Sequence, residues 1–294
     1  MANTRDIRRR IKSVRNTAQI TKAMQMVAAS KMRKAQQLAL AGRPYAELMN
    51  SVLAHCAMRC DVETHPLLEK REVRRTGVLL ISTDKGLCGG LNANLLREAA
   101  KLDRDRTRIV TLGRKGRQGM ARLGYHLVAD FEMRDTPGIA HSKAVSQFLI
   151  EEFLRGAIDE VEVVYSEYVS TITQRPARRT LLPIQRLRRL STRLQGDSED
   201  EEPALESPAG EPTFEPSAAE VLNALLPHYL HFQVFQCYLE AKASEQSARM
   251  VAMKNATDNA LQIVKDLTLQ YNKVRQASIT NELLEISTAQ LAMA

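Results

Sequence analysis

QSARMVAMKNATDNALQIVKDLTLQYNKVRQAS, residues Gln246 to Ser278, is the stretch on which the fold of this chain turns. Steps of four and three residues along it pick out Gln246, Met250, Met253, Thr257, Ala260, Val264, Leu267, Tyr271, Val274 and Ser278, the kind of stripe that two wound helices bury between them. After Pro227 the chain contains no proline and no glycine, so nothing there interrupts a helix.

The same spacing recurs near the other terminus, at Ile7, Ile11, Val14, Ala18, Thr21, Gln25, Ala28, Met32, Ala35 and Ala39. Both stripes are rich in alanine, threonine and other modest side chains. A pair built on them is held by close backbone approach along its length rather than by large interlocking groups. A helix of roughly 60 residues at about 1.5 Å per residue runs to about 90 Å, well beyond the width of a small domain. The expectation is a coiled coil made by residues 1–60 and 217–294, much of it standing clear of what lies between. Two stripes packed onto a compact helical bundle are the plainer alternative.

Between these helices the period changes. GVLLIST (Gly77 to Thr83) has the length and branching of a buried strand. A helical stretch from Asn92 to Leu102 follows, then a strand RIVTL (Arg108 to Leu112) and a basic helical segment from Arg114 to Leu123. Next come a strand YHLVADF (Tyr125 to Phe131), a helix near Ala140 to Arg155, a strand VEVVYSEYVS (Val161 to Ser170) and an edge-like TLLPI (Thr180 to Ile184). Strands alternating with helices predict a small open α/β domain over residues 75–190 with a largely parallel sheet.

Charge is uneven. Residues 1–34 carry ten basic side chains and one acidic one, Asp6, against a net +8 for the whole chain of 294 residues. Such a helix suits an acidic partner: nucleic acid phosphate, an anionic membrane surface or carboxylate-rich loops of a protein. A basic coiled-coil nucleic-acid binder is therefore a competing reading, weakened by the lack of aromatic stacking residues in that helix. Gly196 to Pro216, with eight carboxylates, four prolines and no basic residue, reads as an acidic disordered loop.

Composition places the chain among soluble proteins, with 44 % hydrophobic and 26 % charged residues, and only 4 % aromatic. No apolar run reaches bilayer length, and the N-terminus lacks the apolar core of a secretory signal. Cys56, Cys60, Cys88 and Cys237 are too scattered for a disulfide framework and read as free thiols. The sets His55, Cys56, Cys60, His65 and His228, His231, Cys237 read as packing rather than metal sites, because zinc asks for tighter pairs of ligands. The loop STDKGLCGGLN (Ser82 to Asn92) follows the first strand, where an open sheet places ligands. It lacks the GK[ST] ending of a phosphate loop and the GxGxxG of a dinucleotide fold, so it reads as a turn. No catalytic residues, metal or cofactor are assigned.

The runs DIRRRIKSVRNTAQITKAMQMVAASKMRKAQ (Asp6 to Gln36), TDKGLCGGLN (Thr83 to Asn92) and ASEQSARMVAMKNATDNA with YNKVRQASITNELLEI (within Ala243 to Ile286) together resemble the gamma subunit of the bacterial F-type ATP synthase. The resemblance spans the chain, with the motifs in the family's order. It implies a non-catalytic central-stalk rotor of a proton-translocating synthase, peripheral on the cytoplasmic face of the inner membrane and present in one copy. Its terminal helices would form an antiparallel coil inside a hexamer of alpha and beta subunits, its α/β domain lying near the epsilon subunit and the membrane c-ring, and nucleic acid is not an expected partner. By the same resemblance Lys22 and Met24 would meet the levers of beta, and Arg249, Arg275, Gln276 and Thr280 its catch loops. Leu283, Ile286 and Leu291 would form an apolar tip turning in a sleeve. The acidic loop holds no cysteine pair like the redox switch of the chloroplast subunits, so thiol regulation is not expected.

Overall fold

The computed structural model describes residues 4–59, 65–133, 138–184 and 214–293, the side chains of Arg43, Met58 and residues 291–293 excepted. Most of the acidic loop and Cys60 lie outside these residues. The chain divides into two compact units: the residues up to Ser30 together with those from Arg249 onward, and Lys31–Ala248.

The first unit is a pair of helices: the start of α1 (Thr4–Ala41) against the end of α6 (Ala218–Met293). Every seam position of α1 in this unit, from Ile7 to Ala28, is buried or half-buried, as are those of α6 from Met250 to Val274. The Thr21 and Thr257 hydroxyls meet across the seam at 2.7 Å. Burial on α6 stops at Val274, and Ser278, read as part of the stripe, is exposed.

In the second unit α1 ends at Ala41 and α2 (Arg43–Arg59) begins at once, so residues 1–60 are not one helix. Gly42 costs helix stability and Pro44 has no N–H to continue the ladder. Gly42 instead accepts the Ala46 N–H at 3.0 Å, starting the new helix. The sheet follows: β1 (Thr76–Ile81), α3 (Leu91–Ala99), β2 (Thr107–Leu112), α4 (Arg114–Arg122), β3 (His126–Phe131), α5 (Ile139–Leu154), β4 (Glu160–Tyr168) and β5 (Gln174–Leu182). Strand order is β3-β2-β1-β4-β5, parallel except for the last, antiparallel pair. Of the edge-like TLLPI, Thr180 to Leu182 close a longer strand that also holds Arg175, Pro176, Arg178 and Arg179, and Pro183 and Ile184 follow it; an edge tolerates proline and charge.

Both faces of the sheet are covered, which explains the unbroken apolar run of β1. Val78 and Leu80 pack with Leu95 and Ala99 of α3 and Met120 of α4. Leu79 and Ile81 face the larger core, which holds Leu53 of α2, Leu149 and Phe153 of α5, and Leu230, Val234 and Tyr238 of α6. Among the described residues no helix is long and apolar enough to cross a membrane.

Candidate functional site

The loop from Ser82 to Asn92 leaves the C-terminal end of β1, between β2 on one side and β4 on the other, at the switch point of the sheet. In an open α/β fold that crevice offers a helix N-terminus to an anion. Here the N-terminus of α4 is filled by the chain's own acceptors. Asp84 Oδ1 accepts the Arg114 N–H at 2.9 Å, the Thr83 carbonyl accepts that of Lys115 at 2.9 Å, and Ser82 Oγ accepts that of Gly116 at 2.7 Å. Ser82 Oγ donates in turn to the Gly113 carbonyl at 3.0 Å. The approach needs glycine: Gly113 has φ +111°, and a Cβ there would lie 2.5 Å from the Ser82 carbonyl oxygen. Asn92 closes the loop by donating to Thr83 Oγ1 at 2.8 Å and to Cys88 Sγ at 3.3 Å. A phosphate would have to displace an internal carboxylate and hydroxyl, so the crevice works as a structural turn.

The shifted titratable groups belong to the packing of the second unit. Burial, with Glu240 adding to it, pushes the Cys237 thiol up to about 12, and burial also raises the Tyr165 phenol. His231 is lowered by burial, then by Lys143 and His228, and its Nδ1 lies 2.6 Å from Ser146 Oγ. His228 is exposed, with Nε2 2.7 Å from the Tyr45 hydroxyl. Cys56, Cys88 and Cys237 are buried thiols. Among the described residues no group of three or more His, Cys, Asp or Glu side chains converges as a metal site.

What remains is the surface of the helix pair. Lys22 is exposed and Met24 half-exposed on α1. Arg275, Gln276 and Thr280 are exposed on α6 beyond the end of the seam, where Thr280 Oγ1 is held by the Gln276 carbonyl at 3.0 Å. Leu283 and Ile286 are 62 % and 59 % exposed; Leu291 is helical, but its side chain lies outside the described set. Arg249 differs from the others in being 8 % exposed. Ile20, Met26 and Val27, flanking Lys22 and Met24, are large apolar groups left bare, and sequence reasoning passed over them. The signal was present: an apolar residue off the seam has no partner in the pair.

A protein-family model described as ATP synthase matches residues 3–293. The ATP synthase gamma chain of Opitutus terrae is 50 % identical over 297 residues, with both chains fully covered. That of Desulfitobacterium hafniense is 46 % identical over 290, covering 97 % of each. Among solved structures, a chain of the Tetrahymena thermophila mitochondrial ATP synthase central stalk/c-ring is 26 % identical with TM-score 0.61, covering 81 % of this chain and 99 % of that one. A chain of the Euglena gracilis mitochondrial ATP synthase in rotational state 3 shares the fold at TM-score 0.67 and 21 % identity, covering 99 % and 94 %. A family match over nearly the whole chain and full-length relatives about half identical lead to one conclusion: this chain belongs to the ATP synthase gamma chain family.

Proposed function

We propose that the chain is the central-stalk rotor of an F-type ATP synthase, a non-catalytic subunit that couples ion flow through a membrane ring to conformational change at the catalytic beta subunits. The observation that carries this is identity of about one half to gamma chains along the full length. Two features of the molecule support it. A helix pair with a slender, mostly small-residue seam is stiff along its axis, and α6 continues past the end of that seam with Ile279, Leu283, Leu284 and Ile286 in solvent. Exposed apolar side chains in a row are suited to a partner's surface, and apolar contact is non-directional, so it can hold a turning tip without locking its angle.

In this reading Lys22 and Met24 with their bare neighbours, and Arg275, Gln276 and Thr280, touch beta subunits, where hydrogen bonds each worth about 0.5–3 kcal/mol net can break and re-form with rotation. Arg249, being buried in the chain, would serve by holding α6 in shape beside such a contact. Leu283, Ile286 and Leu291 form the bearing tip within the alpha and beta hexamer. The α/β domain would meet epsilon and the c-ring, with one copy per complex on the cytoplasmic face of the bacterial inner membrane.

The test is a tagged pull-down from gently solubilised membranes, with the partners identified by mass spectrometry and nucleic acid quantified in parallel. Recovery of alpha, beta and epsilon with one copy of this chain per hexamer is the expected result. Nucleic acid without those subunits would overturn the proposal and favour the basic N-terminal helix as a nucleic-acid binder.

A further inference from the structure

From Tyr238 to Ser247 every residue of α6 is buried except the half-buried Glu240, and the enclosure includes polar groups: Lys242 pairs with Glu245 at 3.1 Å, both about 5 % exposed or less. Two hydrogen-bonded grips from the β4–β5 hairpin hold this stretch. At the first, the Tyr165 hydroxyl donates to Glu240 Oε2 at 3.0 Å, while the Arg179 guanidinium lies over the Tyr165 ring, 5.3 Å from its centre, and pairs with Glu167. At the second, Ser247 Oγ donates to the Thr171 carbonyl at 2.6 Å and accepts from Gln174 Nε2 at 3.4 Å.

The hairpin tip that makes the second grip is itself well tied. The Ser170 N–H donates to the Thr173 carbonyl at 3.0 Å, the Thr173 N–H to Ser170 Oγ at 3.1 Å, and Gln174 Nε2 to the carbonyls of Ser170 and Thr171 at 3.2 and 3.1 Å. The Tyr168 and Thr171 hydroxyls meet at 3.2 Å. Glu240 and Ser247 stand seven residues apart, two helical turns, which puts them on one side of α6 about 10 Å apart along its axis.

Two grips on one side of a helix oppose its rotation about its own axis. Apolar contact slides with little change in energy. A hydrogen bond weakens steeply once its angle falls below about 120°, so a turn of the helix costs both bonds together. We propose that the β4–β5 hairpin is an angular key: Tyr165, Gln174 and Ser247 fix the rotation of α6 relative to the sheet, and they are positioning residues for torque transfer. The proposal rests on the rotor reading.

The experiment uses the assembled synthase in sealed vesicles, with ATP hydrolysis and ATP-driven ion pumping measured together against an increasing opposing gradient. Tyr165→Phe with Ser247→Ala removes both hydroxyls and little volume. Assembly and unloaded hydrolysis are expected to hold, while the engaged-to-slipped ratio under load, read as a fall in ions pumped per ATP, drops roughly thirtyfold, the shift that follows from losing two net hydrogen bonds at about fivefold each. Gln174→Ala, at the half-buried start of β5, is expected to show the same load dependence with a smaller loss. Pumping per ATP that matches wild type at every gradient would overturn the key, as would a lowered melting temperature or poor assembly with that ratio unchanged. A wild-type chain that never enters a pumping complex would overturn the rotor reading first, and the key with it.

Discussion

Two stretches of the same helix, Tyr238–Ser247 and Arg275–Gln290, meet their surroundings in opposite ways. The first is enclosed by its own chain yet carries Lys242, Glu245, Gln246 and two serines. The second is exposed at every position yet carries Ile279, Leu283, Leu284 and Ile286. Burial and hydrophobicity are inverted relative to the usual partition, and each inversion has a reason. Polar groups inside an enclosure confer direction, because their bonds have angles. Apolar groups outside one await a surface, because only their desolvation can repay them.

The sharpest break of this comparison is a pair of truncations. Tyr238→Ala, which empties a fully buried site in the large core, is expected to cost the isolated chain about 3–5 kcal/mol in urea unfolding, whereas Ile286→Ala shifts it by under about 0.5 kcal/mol. Equal costs would mean the bare stretch is packed in solution. In the assembled complex, deleting residues 283–294 should weaken coupling severalfold without abolishing it, since the remaining proposed contacts lie further back along the pair. Failure of that truncation to assemble would count against the division of labour.

Smaller effects refine the picture. Thr257→Val leaves the Thr21 hydroxyl facing a methyl group and is expected to cost about 1 kcal/mol, while the double change with Thr21→Val is near neutral because both partners become apolar. A thermal-melt double-mutant cycle checks it. The smallest effect is pH-dependent. His231 is held below its ordinary 6.5, so the folded state binds fewer protons than the unfolded one as pH drops. Its contribution is present in full above that value and is lost as pH falls below it. Melting curves between about pH 7 and pH 5 should fall less steeply in His231→Gln than in wild type.

The seam and most of the sheet were legible because each depends on a local period. Ile7 through Ala39 could be read off one helix, and Val78 with Leu80 against Leu79 with Ile81 off one strand. What escaped depends on a second piece of chain. Ser278 keeps the stripe's spacing yet is exposed, because spacing marks a face of a helix and not how far a partner covers it. The arginine-rich half of β5 does not look like a strand until β4 is beside it. The break at Gly42 and Pro44 was written in the residues and overridden by the long stripe around it. Lys22, Met24, Arg275, Gln276 and Thr280 came from family resemblance, since spacing alone marks them only as solvent-facing. Tyr165 with Glu240 could not be foreseen, as 75 residues separate them.

The Thr21–Thr257 contact fixes one point of register between α1 and α6. Beyond Val274 every described side chain of α6 faces solvent, so that end of the rod can be shortened or rewritten without touching a seam contact. Its reach and its chemistry are separate dials from the strength of the pair.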